Sequence, residues 1–300
     1  MVESRYYQVA GHLFCLEGDR DSLDHLSNYA PFCYHPDIES PLPLFHLHIN
    51  QASPFKNLTI EHVFTDQSEA DMPRIEVDRL GTEAWLLQIA PSRDADICCL
   101  LTATANFSEA WLSTADPRLW TFSVNNAAML LFAFASVHTG TLEMHASVVK
   151  RQGKGYLFLG KSGTGKSTHS RQWLAAFSDA TLLNDDNPVL RVYEQDGKVS
   201  AWVYGSPWSG KTPCYINDGV PVGGIVKLNQ APHNEVHIMR LPEAYAYILS
   251  SSSGMKIIPE TMDKIYATIA RLVENQAVHA MDCLPDADAA RVCWHAVSQS

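Results

Sequence analysis

The sequence predicts an α/β C-terminal half preceded by a strand-rich N-terminal half, α+β for the chain as a whole. Three observations carry that expectation. Residues 5 to 104 are built of short β-branched or aromatic runs separated by polar loops. A continuous apolar stretch at 124–139 interrupts them with helical character, and beyond it strand-like and helix-like segments alternate. A chain of 300 residues, 46% of them hydrophobic, can bury the cores of two ordinary domains. The change of pattern sets the expected boundary: a strand-rich domain at 1–140 and an α/β domain at 141–300.

In the N-terminal half, "RYYQVAGHLFCLEG", "LFHLHI", "LTIEHVFT", "RIEVDRL" and "AWLLQIA" read as strands of an antiparallel sheet. Alternation puts His46 and His48 on one strand face without a third ligand, so they read as a surface or cross-strand pair, because a catalytic zinc takes three protein ligands. The stretch "VNNAAMLLFAFASVHT" reads as a helix opened by Asn125 or Asn126 and ended at Gly140. Its apolarity on every side predicts burial between domains and no chemistry. Next come strands in "MHASVV" and "GYLFLG", a helix in "KSTHSRQWLAAF", a strand in "ATLLND", and a hairpin of "VLRVYE" and "VSAWVY" about "QDGK". "GGIVKL" and "EVHIMRL" continue as strands, "PEAYAYILSS" and "PETMDKIYATIARLVENQ" as helices, and a closing strand and helix lie in "AVHAMDCL" and "DADAARVCWHAVSQ".

Composition excludes several classes of function. A net charge of -11 without any run of Lys and Arg argues against nucleic acid as a partner. No stretch of about 18 apolar residues occurs and the first residues lack a leader-like pattern, so the expected protein is cytoplasmic with no membrane partner. Seven cysteines without a Cys-x-x-Cys spacing read as buried free thiols rather than a disulfide framework or zinc ribbon.

The strongest local signal is Gly160-Lys161-Ser162-Gly163-Thr164-Gly165-Lys166-Ser167, followed by Thr168. It matches G-x-x-x-x-G-K-[ST] in full and lies between an expected strand and an expected helix. Glycines at 163 and 165 allow backbone angles that turn successive amides inward on phosphate oxygens, and the helix N-terminus adds its positive dipole end. Lys166 would reach the β- and γ-phosphates and the Ser167 hydroxyl would serve Mg2+, so the expected ligands are ATP and Mg2+.

Phosphoryl transfer also needs a group to hold metal and one to take a proton. "LLNDDNPVL" offers Asp185 and Asp186 at the end of a short apolar strand, where α/β sheets present ligand-facing groups. Adjacent carboxylates repel, which raises the proton affinity of one unless a cation sits between them. The competing reading is an Asp-Asn-Pro turn with solvated acids.

"MHASVV", "GKSGTGKST" fifteen residues on from His145 to Gly160, and "NDD" together resemble the HPr serine kinase family and, more distantly, the ATP-dependent phosphoenolpyruvate carboxykinases. The resemblance covers about 141–230 and, more loosely, the rest of the C-terminal half. It implies a phosphoenolpyruvate-carboxykinase-like P-loop domain in which His145 approaches phosphates or metal, Lys166 binds phosphate, Ser167 ligates Mg2+, and Asp185 and Asp186 divide the metal and base roles. It also implies a homo-oligomer, since HPr kinases form hexamers. His145 is followed by Ala146 rather than Gly, and the Arg-Gly-rich signature of the bifunctional kinase/phosphorylase proteins is missing. The likeness is therefore to HPr-kinase-like proteins other than HPr kinase/phosphorylase proper. Residues 140–230 hold only Arg151, Arg171 and Arg191, too few for a carboxykinase's arginine-lined carboxylate site.

In "YGSPWSGKTP", Pro207 and Trp208 are candidates for the wall of an acceptor pocket, with Lys211 neutralising developing charge; a turn packed on the core is the alternative. The expected activity is transfer of the γ-phosphoryl group of ATP to a hydroxyl, such as a serine of a peptide or protein or a small molecule. The rival expectations are a non-catalytic nucleotide-binding partner protein and an ATPase without an acceptor.

Overall fold

The structure is a computed structural model that describes residues 1–66, 72–210 and 212–299. It is a mixed α+β protein dominated by strands, and the chain divides into two units, Met1–Ala135 and Ser136–Ser300.

In the first unit the described strands are β1 (Val2–Val9), β2 (His12–Asp19), β3 (Cys33–Tyr34), β4 (His46–Ile49), β5 (Ile60–Asp66), β6 (Arg74–Leu80), β7 (Ala84–Ala90), β8 (Cys99–Thr104) and β9 (Glu109–Thr114). They form one sheet in the order β3-β1-β2-β4-β9-β8-β7-β6-β5. The run "RYYQVAGHLFCLEG" is a hairpin rather than one strand, turning at Ala10 and Gly11, both at positive φ (50° and 78°) as a tight two-residue turn requires. The antiparallel expectation fails at one place. β4 runs parallel to both β2 and β9, because long connections on either side let it enter the sheet in that direction. On β4, His48 sits between Glu17 and Glu109 and stacks on Trp111, a cross-strand cluster.

Besides the short α1 (Arg20–Leu23), this unit contains α2 (Trp120–Ala135). α2 begins earlier than the asparagines suggested. The Asp116 side chain accepts from Arg118 N and caps a 3-10 turn, Pro117–Leu119, that runs directly into Trp120. Asn125 and Asn126 therefore lie inside the helix: Asn126 bonds back to Phe122 O at 2.9 Å, and Asn125 accepts from Asn28. The apolar face packs on its own sheet, with Phe132 against Phe14 and His12 and Phe134 against Phe107.

The second unit has β10 (Thr141–Glu143), β11 (Ala146–Arg151), β12 (Lys154–Leu159), α3 (Lys166–Ala176), β13 (Thr181–Asp186), β14 (Val189–Gln195), β15 (Lys198–Tyr204), β16 (Gly219–Gln230), β17 (Glu235–Ile238), α4 (Leu241–Ser251), α5 (Pro259–Asn275), β18 (Val278–Cys283) and α6 (Ala287–Val297). Gly140 takes a left-handed conformation (φ 69°) and turns the chain into β10. β16 is the long spine. Its first residues pair antiparallel with β15, while its later ones run parallel to β12 on one side and β18 on the other.

Helices cover both faces of this sheet. Leu157 and Leu159 of β12 join Ile225, Ile248, Ile265 and Ile269 beneath α4 and α5, whereas Tyr156 and Phe158 join Trp173, Met281 and Cys293 beneath α3 and α6. Burial on both faces explains why "GYLFL" reads as an unbroken apolar run rather than an alternating one. The carboxyl ends of the parallel strands β12, β16 and β18 point one way, the edge at which open α/β sheets take their ligands. Among the described residues no helix is long and apolar enough to cross a membrane.

Candidate active site

Strand register brings the sequence-predicted residues together. β11 lies between β12 and β13, and Ala146 at its start faces Leu159 on one side and Asp186 on the other. His145, one residue earlier, is thereby held between the start of the glycine loop and the end of the acidic strand. A bulge between Val148 and Val149 sets the register that places Asp185 opposite Ser147 and Asp186 opposite Ala146.

The loop from Gly160 to Gly165 leaves β12 and enters α3. Gly163 and Gly165 stand at φ 79° and 102°, backbone that residues with a Cβ rarely adopt. A Cβ on Gly160 would collide with the Thr164 hydroxyl, which folds back to donate to Lys161 O at 2.6 Å. Gly165 caps α3 without a side-chain hydrogen bond, and the loop residues Lys161, Ser162 and Gly163 are exposed.

Lys166 is buried, and its ammonium donates to Gly160 O at 2.8 Å and lies 2.7 Å from His145 Nε2. An ammonium has only donors, so Nε2 is the acceptor and the neutral ring carries its proton on Nδ1. That Nδ1 is 3.4 Å from Asp186 Oδ1. Lys166, His145 and Asp186 thus form one polar chain. The other aspartate turns the opposite way: Asp185 is buried, and its Oδ1 accepts from the Ser167 hydroxyl at 3.0 Å. The twin acids therefore have different neighbours. Burial pushes the Asp186 carboxyl above its ordinary value, the Nδ1–H side of His145 and the Lys166 ammonium pull it down, and the Asp185 charge adds to the rise.

Several residues that frame this site carried no signal of their own in the sequence. Asn184 is fully buried and donates to Ser206 Oγ at 3.1 Å and Trp208 O at 3.3 Å, while its Oδ1 accepts from Asn187 N at 3.0 Å. Ser206 Oγ in turn donates to Asn187 O at 2.6 Å. "NDDN" and "GSPW" are thus laced together by an Asn and a Ser whose types, in turn-rich segments, are their only clue. Asp186 sits at φ 138° and bridges to Ser209, while Gly210 N donates to Asp185 O at 2.7 Å. Glycine at 210 lets the two segments approach closely: a Cβ there would stand 3.0 Å from Asp186 Cβ and Oδ2, so the Asp186 side chain would have to shift by a few tenths of an ångström to admit it.

Pro207 and Trp208 are buried, Trp208 to 3% exposure, beside the acids through main-chain bonds. Lys211 lies outside the described residues. His169 on α3 is structural: its Nε2 accepts from Trp173 Nε1 at 3.1 Å, and burial drops its pKa to about 4.

No protein-family model matches the sequence, and no characterised protein matches it significantly.

Proposed function

We propose that the C-terminal unit is an ATP- and Mg2+-dependent phosphotransferase of the HPr-serine-kinase-like, phosphoenolpyruvate-carboxykinase-like type, acting on a hydroxyl of a peptide, protein or small molecule. The observation that supports it most is the division of the twin acids: Asp185 on the Ser167 hydroxyl and Asp186 on the His145–Lys166 chain. A nucleotide-binding loop alone has no use for that division, whereas phosphoryl transfer needs both a metal-holding carboxylate and a proton acceptor.

The residues fit both ligands. Ser167 and Asp185 present hard oxygen donors within 3.0 Å of each other, the ligand chemistry Mg2+ prefers, and these two would hold it. When bound, the ion would supply positive charge to offset the negative charge of the phosphates. ATP is the substrate: the loop amides of 162–167 would grip its phosphates, and Lys166 would move from Gly160 O and His145 to a phosphate oxygen. Asp186, with its raised proton affinity, takes the proton of the incoming hydroxyl as that oxygen bonds to the γ-phosphorus. The bond from the γ-phosphorus to the β,γ-bridging oxygen breaks, and ADP leaves with the electron pair. His145 would hold Asp186 in place through its Nδ1–H.

The test is incubation with γ-labelled ATP, Mg2+ and a host extract or hydroxyl-peptide library, followed by identification of the labelled species. The expected result is label on a hydroxyl, lost in Asp186→Asn while ATP binding persists. Release of free phosphate with no labelled acceptor, or no loss of γ-phosphate at all, would overturn the proposal.

A further inference from the structure

On the flank of the loop away from His145 lies a cleft of about 350 Å³. Sheet order defines the two flanks. β12 carries the loop, with β11 and the acidic strand β13 on one side and β16 and β18 on the other. The cleft opens on the second side, bounded by Gly163 and Thr168 of the loop and first turn of α3, by Gln230 and Ala231 at the end of β16, and by Leu284 and Pro285 just past β18. It thus shares its inner wall with the phosphate loop and turns its outer wall away from the acids.

We infer that this cleft holds the nucleoside of the bound nucleotide, with the base between α3 and the chain ends of β16 and β18. The inference rests on the proposed reading of the loop as a nucleotide site and adds to it which end of the ligand goes where. A phosphate chain whose reacting end faces Lys166, His145 and Asp186 must leave the loop by the opposite flank, past Thr168. The chemistry of the cleft suits an uncharged group. Among the described residues no Asp, Glu, Lys or Arg lines it, and His169, the one titratable ring there, is neutral. Ala231, Leu284 and Pro285 offer apolar surface for a ring face, and two carboxamides offer edges. Those amides also brace the walls: Gln230 Nε2 donates to Gly163 O at 3.0 Å, and Gln172 Nε2 donates to Pro285 O at 3.2 Å. A carboxamide carries two donors and an acceptor oxygen, so each retains capacity to meet the polar edge of a base beyond its bracing bond.

Affinities for ATP and for inorganic tripolyphosphate, each with Mg2+, test the assignment by calorimetry on the full chain. Wild type should bind ATP at least tenfold more tightly than tripolyphosphate. Ala231→Trp, which fills the cleft, should erase that preference by weakening ATP at least tenfold while tripolyphosphate stays within twofold. Gln172→Trp, on the solvent side of α3, repeats the test should the first variant fail to fold. Equal wild-type affinities, ATP binding within twofold of wild type in the tryptophan variants, or parallel loss of both ligands would overturn the cleft assignment while leaving the loop reading intact. Wild type that binds neither ligand would overturn both.

Discussion

Glu143→Gln is the most informative change for the electrostatics behind the site. Glu143 ends β10, two residues before His145, and both of its carboxyl oxygens are buried without a hydrogen bond. Burial is the main reason its pKa is pushed up to about 7; the Asp186 charge adds to the rise, and the Lys256 ammonium offsets part of it. A carboxyl whose folded pKa lies above its ordinary 4.5 binds more protons in the folded state across that interval. Its stabilisation is therefore complete below pH 4.5 and is lost as pH rises through about 7. At 1.36 kcal/mol per pH unit, the wild type should lose about 2–3 kcal/mol from this group between pH 5 and pH 8. Glutamine does not titrate, so the variant should lack that component. Its amide adds an unpaired buried donor worth about 1–3 kcal/mol, but this offset does not vary with pH. Equilibrium urea unfolding at pH 5, 6, 7 and 8, followed by tryptophan fluorescence, gives both curves. Their difference cancels other titrating groups, including His169, whose lowered pKa acts with the opposite sign. Parallel stability curves for the two proteins would refute the reasoning.

Two further changes probe the frame around the acids. Gly210→Ala puts a methyl 3.0 Å from Asp186 Cβ and Oδ2 and displaces that side chain by a few tenths of an ångström, so turnover should fall severalfold while ATP affinity stays within twofold; steady-state kinetics beside calorimetry reads the split, and unchanged turnover would show that Asp186 need not be held there. Asn184→Ala strips partners from Ser206, Trp208 O and Asn187 N in a fully buried network and should cost about 3 kcal/mol in urea unfolding, with a loss under about 1 kcal/mol counting against that network as the brace of the site.

What was legible in the sequence was local. The glycine spacing at 160–165 and the Lys-Ser that follows fix a strand, a tight loop and a helix within about fifteen residues, and β12 and α3 stand where those residues imply. The hairpin of β14 and β15 turns at Asp196-Gly197, where both residues sit at positive φ, as an Asp-Gly pair predicts. Non-local pairing was not legible. Nothing within "HLHI" says that it will run parallel to two strands, one about thirty and one about sixty residues away. The same limit applies to the site. Asp185 and Asp186 were visible as a pair, but their separation into one partner of Ser167 and one partner of His145 depends on a bulge at Val148/Val149 that leaves no compositional trace. Glu143 was invisible because an acid in "TLEMH" reads as surface until the fold covers it.

Asp186 shows why so much buried polar structure surrounds two carboxylates. Its φ of 138° is a conformation that side chains resist, and holding it costs about 1–3 kcal/mol. Left to itself the turn would relax and Asp186 would swing away from His145. The opposing constraints all come from the neighbouring segment: Ser209 bridges Asp186, Gly210 N and Ser209 Oγ both hold Asp185 O, and Asn184 ties the start of the turn to Ser206 and Trp208. Each such bond contributes about 1 kcal/mol, so together they exceed the strain they oppose. The sequence motif supplies the acids, but the "GSPWSG" segment, tied on by main-chain bonds, keeps one of them facing the imidazole. Substitutions in that segment should therefore separate turnover from nucleotide affinity, which substitutions in the loop cannot do.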